Sequence, residues 1–364
     1  MKVLLVGGHL SPALAIIDEL VKKNDIEIVF VGRKYVGNSE KTPSLEYKEI
    51  TKRNLKFYNL NAGRLTRIFS LRSLINLIKT PVGFFQSYKI ISDEHPDLIM
   101  SFGGYLALPI AVCGSLKKIR VFTHEQTISA GLTNKIISLF ASKIFVSFEE
   151  TKKYFNQSKT IVSGNPIRED ILKIIDKPFN IVKDRPIIYV TGGSLGSHSV
   201  NVLTESILNP LLNKYIVIHQ TGNIKEYDDF YRLKKIKKSL PPNLSRNYFL
   251  VEHFFQEQLG YIYSIADLVI SRAGANTFFE LASMQKPTIF IPLPWSSNRE
   301  QQKQAEIFFK LGCGEIFSQS QKPSELLQLI NKMIDNLPKY KNSFINLNKF
   351  NRKDAAQVII KEIC

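Results

Sequence analysis

The sequence predicts an α/β fold of two Rossmann-like, doubly wound parallel-sheet domains that face each other across a cleft. Short and nearly continuous apolar runs alternate with amphipathic stretches of helical period, which is typical of parallel strands buried on both faces. This alternation restarts near residue 185. The chain has 364 residues, which is more than a single hydrophobic core usually supports.

Ten apolar runs predict the strands, five in each domain. In the first domain they are KVLLV, IEIVFVG, DLIMSF, RVFTH and KIFVSF. In the second they are PIIYVTG, YIVIHQTG, YFLVEHF, ADLVIS and PTIFIPL. The connector DKPFNIVKDRP (176–186) separates the two series. Because such sheets bind ligands at the carboxyl ends of their strands, we expect the functional residues to follow these runs.

Charge and cysteine usage narrow the function classes. The formal net charge is +17 and the pI is about 9.6, which predicts an anionic partner: nucleic acid, an anionic membrane or a phosphorylated ligand. Three widely separated cysteines argue against a disulfide framework and against a zinc site. No apolar run reaches the roughly 18 residues of a membrane span, and MKVLLVGGHLSP is too short for a secretory signal.

One stretch concentrates the positive charge. Residues 51–92 contain eight lysines and arginines and no aspartate or glutamate. Apolar residues recur there at helical spacing and two phenylalanines follow Pro81, a pattern that suits a helix lying on an anionic membrane. A core-facing helix with a solvated basic side is the alternative. The residues expected at the membrane are Arg67, Ile68, Leu71, Arg72, Ile75, Phe84 and Phe85.

A glycine loop follows the first strand of each domain. GGH (7–9) precedes Ser11-Pro12, which is the expected start of a helix. GGSLGS (192–197) is a second glycine-rich loop between a strand and a helix. Its backbone amides and the Ser194 hydroxyl could bind a phosphate. A tight turn explains each loop equally well by itself. Two such loops, each opening a domain, favour phosphate binding.

Two later stretches of the second domain carry polar side chains. The helix after ADLVISRAGAN carries Glu280, which fits either a capping box or a carboxylate that accepts two ribose hydroxyls. NREQQKQAE (298–306) offers Glu300, Gln301 and Gln304 to sugar hydroxyls, or is an ordinary polar helix start.

Polar residues also converge on one rim of the first domain, after its strands. Any one of them is ordinarily a cap or turn former, but their convergence favours a site. With His9, they are Gly103, Gly104, Tyr105, His124, Glu125 and Asn134.

Taken together, these stretches resemble the MurG family of peptidoglycan glycosyltransferases, over most of the chain and in the family's order and spacing. The resemblance rests on GGHLSPALA, SFGGYLALP, HEQTISAGLTNK, GNPIRE, TGGSLGS, IHQTG, ADLVISRAGANTFFELA and PLPWSSNREQQKQA. It implies the two-domain fold called GT-B. It also implies an acceptor and membrane-facing domain over 1–164, a UDP-sugar domain over 165–347 and a final helix, about 348–364, packing back on the first domain.

The resemblance implies an activity as well. Such an enzyme transfers GlcNAc from UDP-GlcNAc to the MurNAc 4-hydroxyl of the lipid-linked acceptor lipid I. The anomeric carbon is inverted, and the product is lipid II for cell wall synthesis. The implied location is peripheral, on the anionic cytoplasmic face of the cell membrane, without a nucleic-acid partner. No D-x-D triplet occurs, so we expect no divalent metal and no other cofactor.

Motif by motif, the resemblance assigns roles to individual residues. His9 is expected to be the catalytic base, with Glu125 as the second candidate. Ser194 matches the serine on the diphosphate, Phe255 the position whose backbone reads uracil, and Glu280 the ribose-binding glutamate. The acceptor side is expected to contain Gly103, Gly104, Tyr105 and Asn134. The UDP-GlcNAc contacts are expected to be Gly7, Gly8, Thr127, Arg168, Ser194, Phe255, Ala275, Asn276, Thr277, Glu280 and Gln301.

Three features depart from the family pattern. The usual opening GGTGGH is shortened here to VGGH, Thr127 replaces the usual asparagine after HEQ, and Glu300 replaces a second glutamine found in one branch. These departures bear on the acceptor and sugar contacts more than on the type of reaction.

Three other functions stay open from the sequence. One is a related GT-B enzyme that glycosylates another lipid, such as diacylglycerol. Another is a UDP-GlcNAc epimerase, which needs no membrane face. The last is a basic nucleic-acid-binding protein, although the basic stretch has no nucleic-acid motif and its apolar stripe is aliphatic rather than a stacking platform.

Overall fold

The computed structural model describes residues 1–35, 43–63, 71–224 and 226–364, without the side chains of 71–80. The chain divides into two compact α/β units. The first comprises Met1–Arg168 and Arg352–Cys364, and the second comprises Glu169–Asn351. Each is built on an all-parallel sheet, so the predicted class of two parallel-sheet α/β domains is confirmed.

The first unit contains a seven-stranded sheet. Its strands are β1 (Lys2–Val6), β2 (Glu27–Gly32), β3 (Lys56–Asn59), β4 (Leu98–Ser101), β5 (Arg120–Glu125), β6 (Lys143–Val146) and β7 (Thr160–Val162). Their order is β3-β2-β1-β4-β5-β6-β7. The winding direction therefore reverses between β1 and β4, the point at which doubly wound sheets bind ligands.

The helices of this unit connect its parallel strands. They are α1 (Leu10–Val21), α2 (Leu45–Lys52), α3 (Leu71–Glu94), α4 (Ala107–Leu116) and α5 (Leu132–Ile137), followed by 3₁₀ turns at Glu149–Tyr154 and Gln157–Lys159. The predicted start of the first helix at Ser11-Pro12 is wrong. The helix begins at Leu10, and His9 occupies the N-cap position with extended backbone and no side-chain cap.

The core of the first unit lies on both faces of its sheet. Val3 and Leu5 pack into one cluster with α1, whereas Leu4 and Val6 pack into the other with α4 and α5. Successive residues of a strand point to opposite faces, so a strand buried on both sides must be apolar throughout. This explains the unbroken apolar runs in the sequence.

The second unit contains a six-stranded sheet. Its strands are β8 (Ile187–Thr191), β9 (Ile216–Gln220), β10 (Tyr248–Val251), β11 (Leu268–Ser271), β12 (Thr288–Phe290) and β13 (Gly314–Ile316). Their order is β10-β9-β8-β11-β12-β13, so here the winding reverses between β8 and β11.

Nine α-helices and three short 3₁₀ segments complete the second unit within the described residues. The helices are α6 (His198–Ser206), α7 (Leu208–Lys214), α8 (Asp229–Ser239), α9 (Pro242–Ser245), α10 (Gln256–Ile265), α11 (Ala275–Ser283), α12 (Glu300–Lys310), α13 (Pro323–Asp335) and α14 (Leu337–Asn342). The 3₁₀ segments are Glu169–Leu172, Ser297–Arg299 and Ser343–Phe350.

The final helix, α15 (Ala355–Ile363), belongs to the first unit. Its side chains Ile359, Ile360 and Ile363 are buried in the core cluster that also contains residues of α1. Among the helices in the described ranges, none combines the length and apolarity that crossing a bilayer requires.

Candidate functional site

The loops after β1 and β4 touch through their backbones. A Cβ atom on Gly8 would lie 2.2 Å from the carbonyl oxygen of Gly103, and one on Gly104 would lie 2.8 Å from the Cα of Gly8. Gly103 and Gly104 also have φ values of +71° and +78°, a region that side chains disfavour. The GGH and GGY motifs, nearly a hundred residues apart, are thus explained by a single contact.

His9 sits beside this contact, between β1 and α1. Burial lowers the pKa of its imidazole below the usual 6.5, and the negative charge of Glu125 opposes that shift. The ring is therefore mainly neutral at pH 7. A neutral imidazole at the edge of the sheet is competent to accept a proton.

The other candidate base, Glu125, is held by hydrogen bonds on every side. Its carboxylate accepts from the Thr127 amide (3.0 Å) and hydroxyl (2.7 Å), the Gly131 amide (2.9 Å) and Asn134 Nδ2 (2.9 Å). Four donors fill the acceptor capacity of a carboxylate. These bonds leave the Glu125 carboxylate little capacity to accept a further proton donor, and the expectation that His9 is the base stays a prediction.

Asn134, expected on the acceptor side, ties the end of β5 to α5. Its Oδ1 accepts from the Thr123 hydroxyl at 3.0 Å, and its Nδ2 lies 3.2 Å from the His124 carbonyl. The His124 ring is buried and contacts the Gly164 carbonyl at 3.2 Å, and burial lowers its pKa to about 4. Tyr105 packs against the core cluster of α4 and α5.

Arg168 and Gly7, expected to contact the donor, have partners within the first unit. Arg168 Nε donates to Asp18 Oδ2 of α1 at 3.0 Å, and its side chain is 6% exposed. The Gly7 amide donates to the Val31 carbonyl at 3.2 Å. A nucleotide contact from Arg168 therefore has to share its guanidinium with Asp18.

Gly8 and Thr127, also expected at the donor, lie in the first unit. The other residues expected at the donor follow the carboxyl ends of four strands of the second unit, and so gather at one edge of its sheet. They are Ser194 after β8, Phe255 after β10, Ala275, Asn276, Thr277 and Glu280 on α11 after β11, and Gln301 on α12 after β12. Across the described residues, no three His, Cys, Asp or Glu side chains cluster as metal ligands.

Arg272, which the sequence reasoning passed over, organises this edge. Its guanidinium is 7% exposed and donates to Ser197 Oγ (3.0 Å), Ser199 Oγ (2.5 Å) and the Ile291 carbonyl (2.8 Å). Burial lowers its pKa to about 10, so it stays charged at pH 7. Within the described residues no carboxylate pairs with it, which leaves a positive charge at the start of α6. The sequence feature that could have identified Arg272 is its position directly after a buried strand.

Glu280 is not part of a capping box. The N-cap of α11 is Gly274, and the Glu280 carboxylate accepts a hydrogen bond from the Tyr263 hydroxyl at 2.9 Å instead. The capping-box interpretation is wrong because the helix begins at Ala275, two residues before Thr277. Burial raises the pKa of Glu280, and the Tyr263 hydrogen bond opposes that shift.

Phe255 and Gln301 both have backbone-anchoring contacts. The Phe255 amide donates to Gln258 Oε1 at 3.0 Å and its carbonyl accepts from the Gln258 amide at 3.0 Å, at the start of α10. The Phe255 ring itself is 64% exposed. Gln301 Oε1 accepts from the Leu293 amide at 2.9 Å and so fixes the loop after β12.

The residues expected at the membrane are only partly within the described structure. Outside the described residues and side chains lie Arg67, Ile68, Leu71, Arg72 and Ile75. On α3, Phe85 is 72% exposed, whereas Phe84 packs against the core cluster of α4 and α5. Phe85 is therefore the more exposed of the two, since adjacent helical residues point in different directions, and the membrane assignment of both stays a prediction.

Comparison with known proteins relates these two units to one family. Residues 6–146 match the glycosyltransferase family 28 N-terminal domain, and residues 187–359 match the glycosyltransferase family 28 C-terminal domain. The chain belongs to glycosyltransferase family 28. The resemblance to the MurG branch of family 28 is confirmed by relatives that match nearly the full chain in sequence.

Two of these family 28 relatives cover almost the whole chain. The UDP-N-acetylglucosamine--N-acetylmuramyl-(pentapeptide) pyrophosphoryl-undecaprenol N-acetylglucosamine transferase of Clostridium perfringens strain 13 is 34% identical over 96% of this chain and 94% of its own. The second transferase of that name from Bacillus cereus strain ATCC 14579 is 32% identical over 98% and 96%.

Solved structures share the family 28 architecture. Acinetobacter baumannii MurG superposes with a TM-score of 0.70 at 23% identity, covering 100% of this chain and 98% of that one. The UDP-GlcNAc 2-epimerase of Neisseria meningitidis reaches 0.68 at 17% identity, covering 100% and 99%. At such identities the likeness concerns the fold alone. The epimerase alternative therefore gains no support beyond a shared fold, whereas the transferases match in sequence.

Proposed function

We propose that the chain transfers GlcNAc from UDP-GlcNAc to the MurNAc 4-hydroxyl of undecaprenyl-pyrophosphoryl-MurNAc-pentapeptide, converting lipid I into lipid II. One observation carries the proposal: curated relatives with 32–35% identity over nearly the full chain are named for this transfer. The polar residues at the strand-end edges of both sheets supply the chemistry that the reaction requires.

On the acceptor side, the step is a direct displacement. The acceptor hydroxyl attacks the anomeric carbon, its proton passes to His9, and the bond to UDP breaks with the electron pair leaving on the β-phosphate. The low pKa of His9 keeps it neutral beforehand. The nearby charge of Glu125 favours the imidazolium that forms. A positioned general base of this kind contributes roughly 10²–10⁴-fold to the rate.

On the donor side, the protein offsets the charge that grows on the leaving UDP. Ser194 and the amides at the start of α6 face the diphosphate, and the buried cation Arg272 lies behind them. Preorganised donors and charges in such a site contribute several kcal/mol, about 3–4 for one good donor. Glu280 accepts the vicinal ribose hydroxyls, with Tyr263 holding one of its oxygens. No divalent metal is needed in this scheme.

A transfer assay with chelator tests the proposal. Radiolabelled UDP-GlcNAc and a short-chain lipid I analogue are expected to give labelled lipid II with EDTA present. Parallel reactions contain diacylglycerol as acceptor, or no acceptor. Labelled diacylglycerol without lipid II would move the assignment to another lipid glycosyltransferase. Release of UDP and ManNAc without acceptor would instead identify an epimerase.

We also propose that the first unit binds the anionic cytoplasmic face of the cell membrane peripherally through α3. Val82, Phe85 and Tyr88 are spaced three residues apart and are 47%, 72% and 54% exposed. Lys117 Nζ lies 4.3 Å from the centre of the Tyr88 ring, so a basic group borders this apolar face. Apolar side chains flanked by lysines suit the interface of an anionic bilayer.

Vesicle flotation tests the membrane proposal. Replacing Val82, Phe85 and Tyr88 with serine is expected to abolish flotation with vesicles rich in phosphatidylglycerol. The matched control replaces two exposed apolar residues on other helices, Val21 and Leu45, which are 58% and 46% exposed. Flotation that is equal for both variants would reject α3 as the membrane face.

A further inference from the structure

Gln220 ends β9, between β10 and β8 in the second unit's sheet, at the edge where the donor residues are expected. None of the roles above uses it. Its side chain is 3% exposed. Its Nε2 donates to the Gly193 carbonyl at 3.0 Å, and its Oε1 accepts from the Phe254 amide at 3.3 Å and from the Tyr189 hydroxyl at 3.1 Å. One amide group thus joins the loop after β8 to the segment after β10.

The bond to Gly193 determines which way the next peptide faces. The carbonyl of Gly193 accepts from both Gln220 and the Gly196 amide at 3.0 Å, so it is held toward the protein. In a planar trans peptide the N–H points opposite to the C=O. The Ser194 amide hydrogen therefore points away from Gln220, on the exposed side of the loop.

Without that bond, the Gly193 carbonyl would keep only the turn bond from the Gly196 amide. The loop around it is open, since no atom lies within 4 Å of the place where a Cβ on Gly193 would stand. We therefore expect the Gly193–Ser194 peptide to be held less firmly, so that the Ser194 amide would be aimed less precisely at an approaching phosphate.

The other end of Gln220 fixes the segment that leads to Phe255. Phe254 is 1% exposed, and its ring packs edge-on against Tyr189, with centroids 6.0 Å apart. The Phe254 amide donates a hydrogen bond to Gln220 Oε1. Because Phe254 directly precedes Phe255, the same side chain sets the backbone expected to meet the uracil base.

We propose that Gln220 is a positioning residue that sets the diphosphate loop and the uracil-reading segment in one geometry. The inference rests on the proposed function, because it takes UDP-GlcNAc as the ligand of this edge. Gln220 touches no ligand atom itself. It acts by holding the Ser194 amide outward and the Phe254–Phe255 backbone in place at the same time.

Calorimetric titration of uridine, UMP and UDP tests the coupling. Gln220→Met keeps the volume but loses both polar groups, and Gln220→Asn keeps an amide too short to span both loops. In either variant the Kd of UDP is expected to rise roughly 10- to 100-fold, the loss typical of a hydrogen bond to a charged group. The Kd of uridine is expected to rise as well, but less than that of UDP, because uridine contacts the uracil-reading segment and has no phosphate to bind the diphosphate loop.

Steady-state kinetics provide a readout that a general loss of stability would not produce. The KM for UDP-GlcNAc is expected to rise in both Gln220 variants while the KM for the lipid I analogue stays within twofold. The control is Asn247→Leu, which removes another buried amide bond of the second unit, to the Leu212 carbonyl at 2.9 Å, before the amino end of β10. It is expected to lower the melting temperature without changing UDP affinity.

The outcomes distinguish a failure of this inference from a failure of the proposed GlcNAc transfer. If the wild type binds UDP and transfers GlcNAc, but Gln220→Met and Gln220→Asn bind UDP within twofold of it, the coupling role is rejected and the function stands. Equal losses for uridine and UDP reject the coupling as well. If the wild type binds no UDP, the proposed function fails and this inference fails with it.

Discussion

At the scale of single residues, the first unit divides two tasks between His9 and Glu125. The imidazole is kept neutral by burial, whereas the carboxylate is saturated by four donors from its own loop. A base must have a free lone pair before the reaction, and the lone pairs of the Glu125 carboxylate already accept these four hydrogen bonds. Its charge still acts at a distance, because it favours the protonated form of His9.

Replacing His9 with glutamine is expected to lower kcat by roughly 10²–10⁴-fold. The KM for UDP-GlcNAc should change little, since the expected donor contacts lie mainly in the second unit. The kcat/KM of the wild type should fall with acid only below pH 6.5, because the folded pKa of His9 is lowered and protonation removes the base. Initial rates at pH 5 to 8 check both statements.

Glu125→Gln is the companion variant in that experiment. Removing its negative charge takes away the interaction that raises the pKa of His9, so the acid limb should move to still lower pH. An acid limb that persists unchanged in His9→Gln would show that another group is the base.

At the scale of elements, three helices next to expected site residues begin without side-chain caps. His9, Ser197 and Gly274 precede α1, α6 and α11 with extended backbone, and none of them forms a side-chain cap. Other helices, such as α5 and α8, also lack one, so a missing cap does not by itself mark a site. Uncapped amides at a helix N-terminus favour an anion, and the proposed UDP-sugar would supply one on its diphosphate.

The same feature explains which helix starts the sequence predicted wrongly. Ser11-Pro12 and Thr277 with Glu280 have the residue types of caps, so pattern reading placed the helix starts there. The chain begins both helices earlier, at residues without a capping side chain. Local capping rules assume that a side chain satisfies the first amides of a helix, and both of these helices begin where no side chain does so.

Gly8→Ala tests the contact between the β1 and β4 loops. The new Cβ would lie 2.2 Å from the Gly103 carbonyl oxygen, so one loop must move. We expect the first unit to lose about 2–3 kcal/mol of unfolding free energy, in the range of overpacked sites, and kcat to fall. The matched control is Gly131→Ala, whose Cβ would make an ordinary 3.5 Å contact with Glu125.

Urea unfolding of both variants checks this expectation. Gly131→Ala should stay within about 0.5 kcal/mol of the wild type, as unstrained substitutions do. Equal stability of Gly8→Ala and Gly131→Ala would mean that the two glycine loops do not touch in solution.

At the scale of the whole molecule, the sequence predicted the architecture better than the contacts within it. Continuous apolar runs and the restart of the pattern were enough for two parallel sheets, because burial on both faces leaves a periodicity that can be read locally. Contacts between distant residues leave no such trace. The contacts of Arg272 with Ser197 and of Gly8 with Gly103 depend on strand order, which only the folded chain specifies. The packing of α15 on the first unit was expected only from the family resemblance.

Each unit contains a deeply buried histidine whose protonation opposes folding, and in the first unit His9, whose pKa is also lowered by burial, adds to the effect. Burial lowers the pKa of His124 in the first unit to about 4 and that of His219 in the second to about 3. The His219 Nε2 contacts Asn201 Oδ1 at 3.0 Å and its Nδ1 contacts the Tyr248 hydroxyl at 2.9 Å. Since the Asn201 amide nitrogen donates elsewhere, Nε2 carries the proton, and a second proton on Nδ1 would displace the Tyr248 donor.

Both units should therefore lose stability in mild acid. The unfolded histidine titrates near 6.5 while the folded one stays neutral, so between pH 6.5 and about 4 the unfolded state binds the extra proton. The loss is about 1.4 kcal/mol per pH unit and per histidine, or roughly 2 kcal/mol from His124 and from His219 each at pH 5. Hydrogen exchange of β5 and β9 amides at pH 7 and pH 5 reports the two units separately. His219→Gln should flatten the response of β9 and leave that of β5 unchanged, and an equally steep loss at β9 in that variant would exclude His219 as its cause.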